Sequence, residues 1–114
     1  MKISTQTAEH YIWGNACDGW HLLRSDSLSV IQERMPPGTA EQRHFHERAQ
    51  QVFFILAGEA TFEVGEQSVR VAAQESLHIV PGIPHRIANY GPLDLHFLVI
   101  SEPKAHGDRV NEAS

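Results

Sequence analysis

The sequence predicts an all-β fold, a sandwich or closed barrel of about eight short strands. Three observations carry this. From Leu28 onward the apolar residues fall in short β-branched and aromatic runs, with little at helical period. Gly, Pro or polar residues part those runs at turn spacing. The 114 residues, 41% of them hydrophobic, are enough for one core but not for two.

The runs are 28–35, 43–46, 51–57, 60–64, 67–72, 76–80, 85–90 and 94–101. Pro36-Pro37-Gly38 ends the first, Gly58 parts two strands, and Gly65-Glu66 fits a hairpin tip. Pro81-Gly82 precedes the run from 85, and Asn89-Tyr90-Gly91-Pro92 closes it. Residues 1–27 form an extension that covers the barrel or reaches a partner; within it TAEHYIW fits a helical turn and GWHLL an edge strand. The barrel itself is placed at 28–102. Residues 103–114 have high polarity and no period, so a loosely ordered tail is expected. There is no internal repeat or linker.

Bulk properties narrow the partners. A net charge of −5 with only nine Lys and Arg excludes nucleic acid as the main partner, because a phosphate backbone demands clustered cations. No apolar run approaches the roughly 20 residues that span a membrane, so no membrane association is expected. The start MKISTQTAEH lacks the apolar stretch of a secretory signal, and Cys17 alone permits no internal disulfide; a cytoplasmic location is the expectation. Histidine is the unusual component, with eight in the chain.

His44 and His46 flank Phe45, and on a strand residues two apart share a face, so both imidazoles can reach one point. Such a pair is common without metal; its surroundings give it meaning. Gly38 is followed by TAEQR, His44-Phe45-His46, ERAQ, Gln51, VFFILA and Gly58. Farther on, Gly82, His85 and Asn89 follow at fixed intervals from Gln74. These two stretches resemble the two motifs of the cupin family. The first motif matches at every spacing, with Gln51 where the family has Glu; in the second, Gln74 and Val80 stand where the family has Gly and Pro.

The resemblance implies a double-stranded β-helix, a jelly-roll barrel, holding one divalent metal on His44, His46, Gln51 and His85. Three nitrogens and an amide oxygen suit Mn²⁺, Fe²⁺, Co²⁺, Ni²⁺, Cu²⁺ or Zn²⁺ rather than Ca²⁺ or Mg²⁺. In an octahedral ion two positions stay open for substrate oxygens. Gln51 is neutral where a Glu would cancel one charge, so the site keeps the full dication and favours a small anionic or chelating substrate. The expected penalty is weaker metal affinity. Trp13 and Trp20 are large apolar side chains on a segment with no obvious core of its own and are expected to bury against a second subunit; the resemblance, too, implies a homodimer.

Outside the metal set, Glu33 is the best candidate for a base. If Ile31 and Met35 face inward, alternation turns Glu33 inward too; if Val30 does, Glu33 meets solvent, and this second register is preferred. His78, His96 and His21 are assigned to core or interface, and His10 and His106 to solvent. Arg43 and Arg86, neighbours of inward histidines, are assigned to the surface, and Phe45, Phe53, Phe54, Phe62 and Phe97 to the core. Cupins with a His, His, Gln, His set include some that open or isomerise unsaturated sugar acids. The expected function is therefore Lewis-acid isomerisation, ring opening or lyase chemistry on a small hydroxy- or oxo-acid or sugar-derived substrate. The alternatives are Fe²⁺-dependent dioxygenation and non-catalytic capture of a small molecule. In sugar-acid cupins the residues that move the proton lie late in the chain, and none of them is matched here to Ser101, Glu102 or the tail.

Overall fold

The computed structural model describes residues 1–112, and two antiparallel sheets face one another across a shared interior. The strands are β1 (Glu9–Trp13), β2 (Cys17–Arg24), β3 (Ser29–Met35), β4 (His44–His46), β5 (Gln50–Ala57), β6 (Glu59–Val64), β7 (Gln67–Ala72), β8 (Ser76–Ile79), β9 (His85–Ala88), β10 (Leu95–Glu102) and β11 (Arg109–Asn111). One sheet runs β1-β2-β3-β10-β5-β8, the other β11-β4-β9-β6-β7. The eight expected strands are all present with ends within two residues of the sequence reading.

Alternation on β5 and β10 builds the interior. Gln51, Phe53 and Ile55 on β5 and Leu95, Phe97, Val99 and Ser101 on β10 are buried, while the residues between them are half-buried. Phe53 meets Phe62 edge-on with ring centroids 5.1 Å apart, and Phe97, Met35, Ile79 and Ile87 fill the space around them. Phe45 and Phe54, expected in the core, lie on outward-alternating positions and are only half-buried.

The register between β3 and β10 decides where Glu33 points. Ser29, Ile31, Glu33 and Met35 stand opposite Ser101, Val99, Phe97 and Leu95, and directly opposed residues share a face. Phe97 and Leu95 are fully buried, so Glu33 points inward. The preferred solvent register is thereby corrected: the partner strand, invisible to local alternation, sets the face.

The termini also depart from expectation. TAEHYIW is not a helical turn, because Glu9–Trp13 pairs with Cys17–Arg24 as a hairpin. GWHLL is not an edge, since β2 lies between β1 and β3. Trp13 packs against the chain's own core, and its indole N–H donates to the Asp18 carbonyl at 3.2 Å. Trp20 is half-buried beside the His10 ring. Within the expected loose tail, β11 pairs with β4, and the buried Asp108 carboxylate accepts the Arg48 and Ala49 amides at 3.0 and 2.9 Å. Residues 113–114 of that tail lie outside the described residues.

Two motif residues show their structural purpose. Gln74, standing where the family motif has Gly, holds φ at 70°, a left-handed conformation that glycine adopts without strain. The Asn89 side chain is wholly buried and ties together the Met35 and Leu93 carbonyls, each at 2.9 Å, across the sheet junction.

Candidate metal centre

β4 is three residues long, and alternation sends both its histidines inward with Phe45 between them turned out. His85 on β9 stands directly opposite His44 in the ladder and so projects from the same face. The ring centroids of His44 and His85 are 4.5 Å apart, those of His44 and His46 5.0 Å, and those of His46 and His85 5.9 Å. Each residue offers a nitrogen, and these nitrogens lie within 4.8 Å of one another.

The rings are oriented from behind. His44 Nδ1–H donates to the Gln42 carbonyl at 2.7 Å and His85 Nδ1–H to the Ile83 carbonyl at 2.9 Å, which leaves the Nε2 lone pair of each facing the cluster. Burial pushes the imidazolium form away: His44 falls to about 3 and His46 to about 4, and His85 is held below the ordinary histidine range for the same reason. All three rings are therefore neutral near pH 7, the form that donates a lone pair.

Gln51 enters from the other sheet, on β5. It stands opposite Ser101 on β10, and its Nε2–H donates to Ser101 Oγ at 3.0 Å, which fixes the amide and leaves Oε1 to the interior. Gln51 Oε1, His85 Nε2 and His46 Nδ1 are buried with no hydrogen-bond partner. Unpartnered buried polar atoms are costly, and several acceptors sharing one interior are satisfied together by a cation. The residues fit a divalent transition ion with mixed nitrogen and oxygen preference.

A cavity of about 720 Å³ opens from the cluster and is lined by His44, His46, Gln51, Phe53, Glu33 and Glu41 among others. Glu33 is held by a device that spans three strands. Tyr11 on β1 faces Gly19 on β2, and Gly19 faces Glu33 on β3. A Cβ at Gly19 would lie 2.2 Å from the Tyr11 ring, so only glycine lets that ring cross β2. The Tyr11 hydroxyl then donates to Glu33 Oε2 at 3.2 Å. Burial and the neighbouring Glu41 charge push the Glu33 carboxyl up to about 8. Burial likewise lifts Glu41 to about 7, although its Oε1 accepts the Ile87 amide at 3.2 Å.

Tyr11, Glu41, Ser101 and Arg109 line the cavity, with Gly19 behind Tyr11, and the strand pattern of the sequence passed over them or left them without a role. Glu41 lies in an irregular segment where alternation says nothing, and Tyr11 and Gly19 matter only through cross-strand register. Of the other histidines, His21 and His106 line the cavity. His78 is exposed and bonded to Gln50, His96 is half-buried on β10, and His10 pairs with Asp18 at 2.7 Å. Arg43 and Arg86 both pair with Glu63 outside the cavity, at 3.3 and 2.8 Å.

A family profile described as a cupin domain matches residues 31–101. The oxalate-binding protein of Thermotoga maritima is 33% identical over 85 residues, covering 70% of each chain. The H2HPP isomerase of Bacillus subtilis is 30% identical over 78 residues, which span 68% of this chain and 32% of the isomerase. Among solved structures, a Thermotoga maritima protein described as a predicted oxalate decarboxylase superposes with a TM-score of 0.84 at 23% identity, covering 91% of this chain and all of that one.

Proposed function

This chain belongs to the cupin domain family, and we propose that it is a metal-dependent enzyme that moves a proton on a small chelating hydroxy- or oxo-acid. The observation that carries the reading is the meeting of a buried three-histidine cluster with a cavity whose wall includes two of those histidines, Gln51 and the carboxyls of Glu33 and Glu41, both pushed up toward neutral pH by burial. A divalent transition ion held by His44, His46, Gln51 and His85 would polarise a hydroxyl or carbonyl oxygen as a Lewis acid.

The chain's own residues supply the rest. Glu33 in its ionised form accepts the proton adjacent to the polarised oxygen, and the Tyr11 hydroxyl holds the receiving carboxylate in place. Glu41 faces the same cavity as a second carboxyl that can return a proton. Phe53, Ile31 and Val99 give the cavity apolar wall that limits water around the reacting carbon. Proton removal next to a polarised oxygen is shared by isomerisation, ring opening and elimination, so one device serves that reaction class.

Capture without turnover is the second reading, favoured by the oxalate-binding relative in Thermotoga maritima. The deciding experiment loads the protein separately with Mn²⁺, Fe²⁺, Co²⁺, Ni²⁺, Cu²⁺ and Zn²⁺ and assays hydroxy-, oxo- and unsaturated sugar acids for product and for binding. Product formed with Zn²⁺, which has no redox chemistry, is the expected result. Tight binding of several acids with no product under any metal would establish capture instead.

A further inference from the structure

We propose that Arg109, on the short C-terminal strand β11, is a specificity-determining residue that holds a carboxylate of the ligand beside the three-histidine cluster. This rests on reading the cavity as a small-acid site and names the residue that selects the acid's charge.

Four observations converge on Arg109. It stands directly opposite His46 in the β11–β4 ladder, and directly opposed residues of an antiparallel pair share a face with Cβ atoms about 4.5–5.5 Å apart. Its Nη2–H donates at 3.3 Å to the Gln42 carbonyl, the same oxygen that receives His44 Nδ1–H, so guanidinium and cluster are tied to one atom. Its Nε–H donates at 2.9 Å to Asn111 Oδ1, which aims the fork from the next residue on that face. The side chain lines the cavity.

Charge accounting separates Arg109 from its neighbours. Of the other cations on the cavity wall, Arg24 is paired with Glu9 at 2.9 Å and Lys104 with Asp26 at 2.8 Å. Among the described residues, Arg109 has no carboxylate within ion-pair distance, and its Nη1 has no hydrogen-bond partner. A planar guanidinium with donors to spare is suited to a carboxylate, which accepts two parallel N–H bonds. The ligand class is a small acid with at least one free carboxylate near its chelating oxygens, of which oxalate is the smallest example.

The test is calorimetric titration of oxalate into the zinc-loaded wild type, Arg109→Gln and Arg109→Lys, with imidazole as a neutral ligand for comparison. Expected results are binding of one oxalate per chain by the wild type, about 10- to 100-fold weaker binding by Arg109→Gln, and partial recovery in Arg109→Lys. Imidazole affinity and zinc content should be equal in all three. Oxalate affinity should also fall with added salt more steeply in the wild type than in Arg109→Gln. Equal oxalate affinity in the wild type and Arg109→Gln, or no oxalate binding by the zinc-loaded wild type, overturns the proposal. If the wild type takes up no zinc, the metal reading fails, and titration of the metal-free proteins decides for Arg109 on the same criterion. Should Arg109→Gln unfold, the comparison of wild type with Arg109→Lys carries the decision, with a drop of less than twofold counting against the proposal.

Discussion

Glu33→Gln should lower turnover by about 10²- to 10⁴-fold while metal content and fold stay as in the wild type. The substitution keeps the shape of the side chain and its bond from the Tyr11 hydroxyl, and removes the capacity to take a proton. A base acts ionised, so the wild-type rate rises with pH as Glu33 releases its proton, and this limb should vanish in the variant. Stability of the metal-free protein offers an independent check. Burial raises the Glu33 carboxyl from 4.5 to about 8, so across that interval the folded chain holds a proton that the unfolded chain has released. Its contribution to stability is present below about pH 4.5 and is lost as pH rises toward 8. Denaturant melts should therefore show Glu33→Gln gaining on the wild type as pH rises through this window. An unchanged turnover rate would remove Glu33 from the mechanism.

Gln51→Glu is expected to tighten the metal by about 10²-fold or more while weakening any anionic ligand. A carboxylate among the donors cancels one of the ion's two charges at close range in a buried site, where such interactions are strong. Ser101 can accommodate the change, because its hydroxyl, which now accepts from the Gln51 amide, can rotate to donate to a carboxylate. The metal-free variant should be less stable near neutral pH, since it buries a charge with no cation to meet it. Competition with a chromogenic chelator reads the metal affinity, and oxalate titration reads the ligand side. Equal metal affinity in the two proteins would mean that position 51 lies outside the coordination sphere.

Most of the barrel was legible because its strands write their burial as local alternation. Phe53 and Ile55, or Phe97 and Val99, announce a face within a few residues. The three histidines were legible for the same reason: His44 and His46 share a strand face, and motif spacing singled out His85. What escaped depends on which strands lie side by side. Glu33 points inward because β10 sets its register, and Tyr11 reaches it only because Gly19 leaves a gap on β2. Arg109 belongs to a three-residue strand in a polar stretch, too short for any period, held down by the buried carboxylate of Asp108 on backbone amides. Long-range pairing, which composition and spacing do not encode, placed these residues.

Metal analysis of protein purified without added metal tests whether His44, His46, Gln51 and His85 hold one transition metal. The wild type should carry, or take up on loading, about one transition-metal ion per chain, and His46→Ala should carry little or none after identical treatment. A folded wild type that contains no such ion and cannot be loaded with one, or a His46→Ala protein that retains the full complement, would contradict the account.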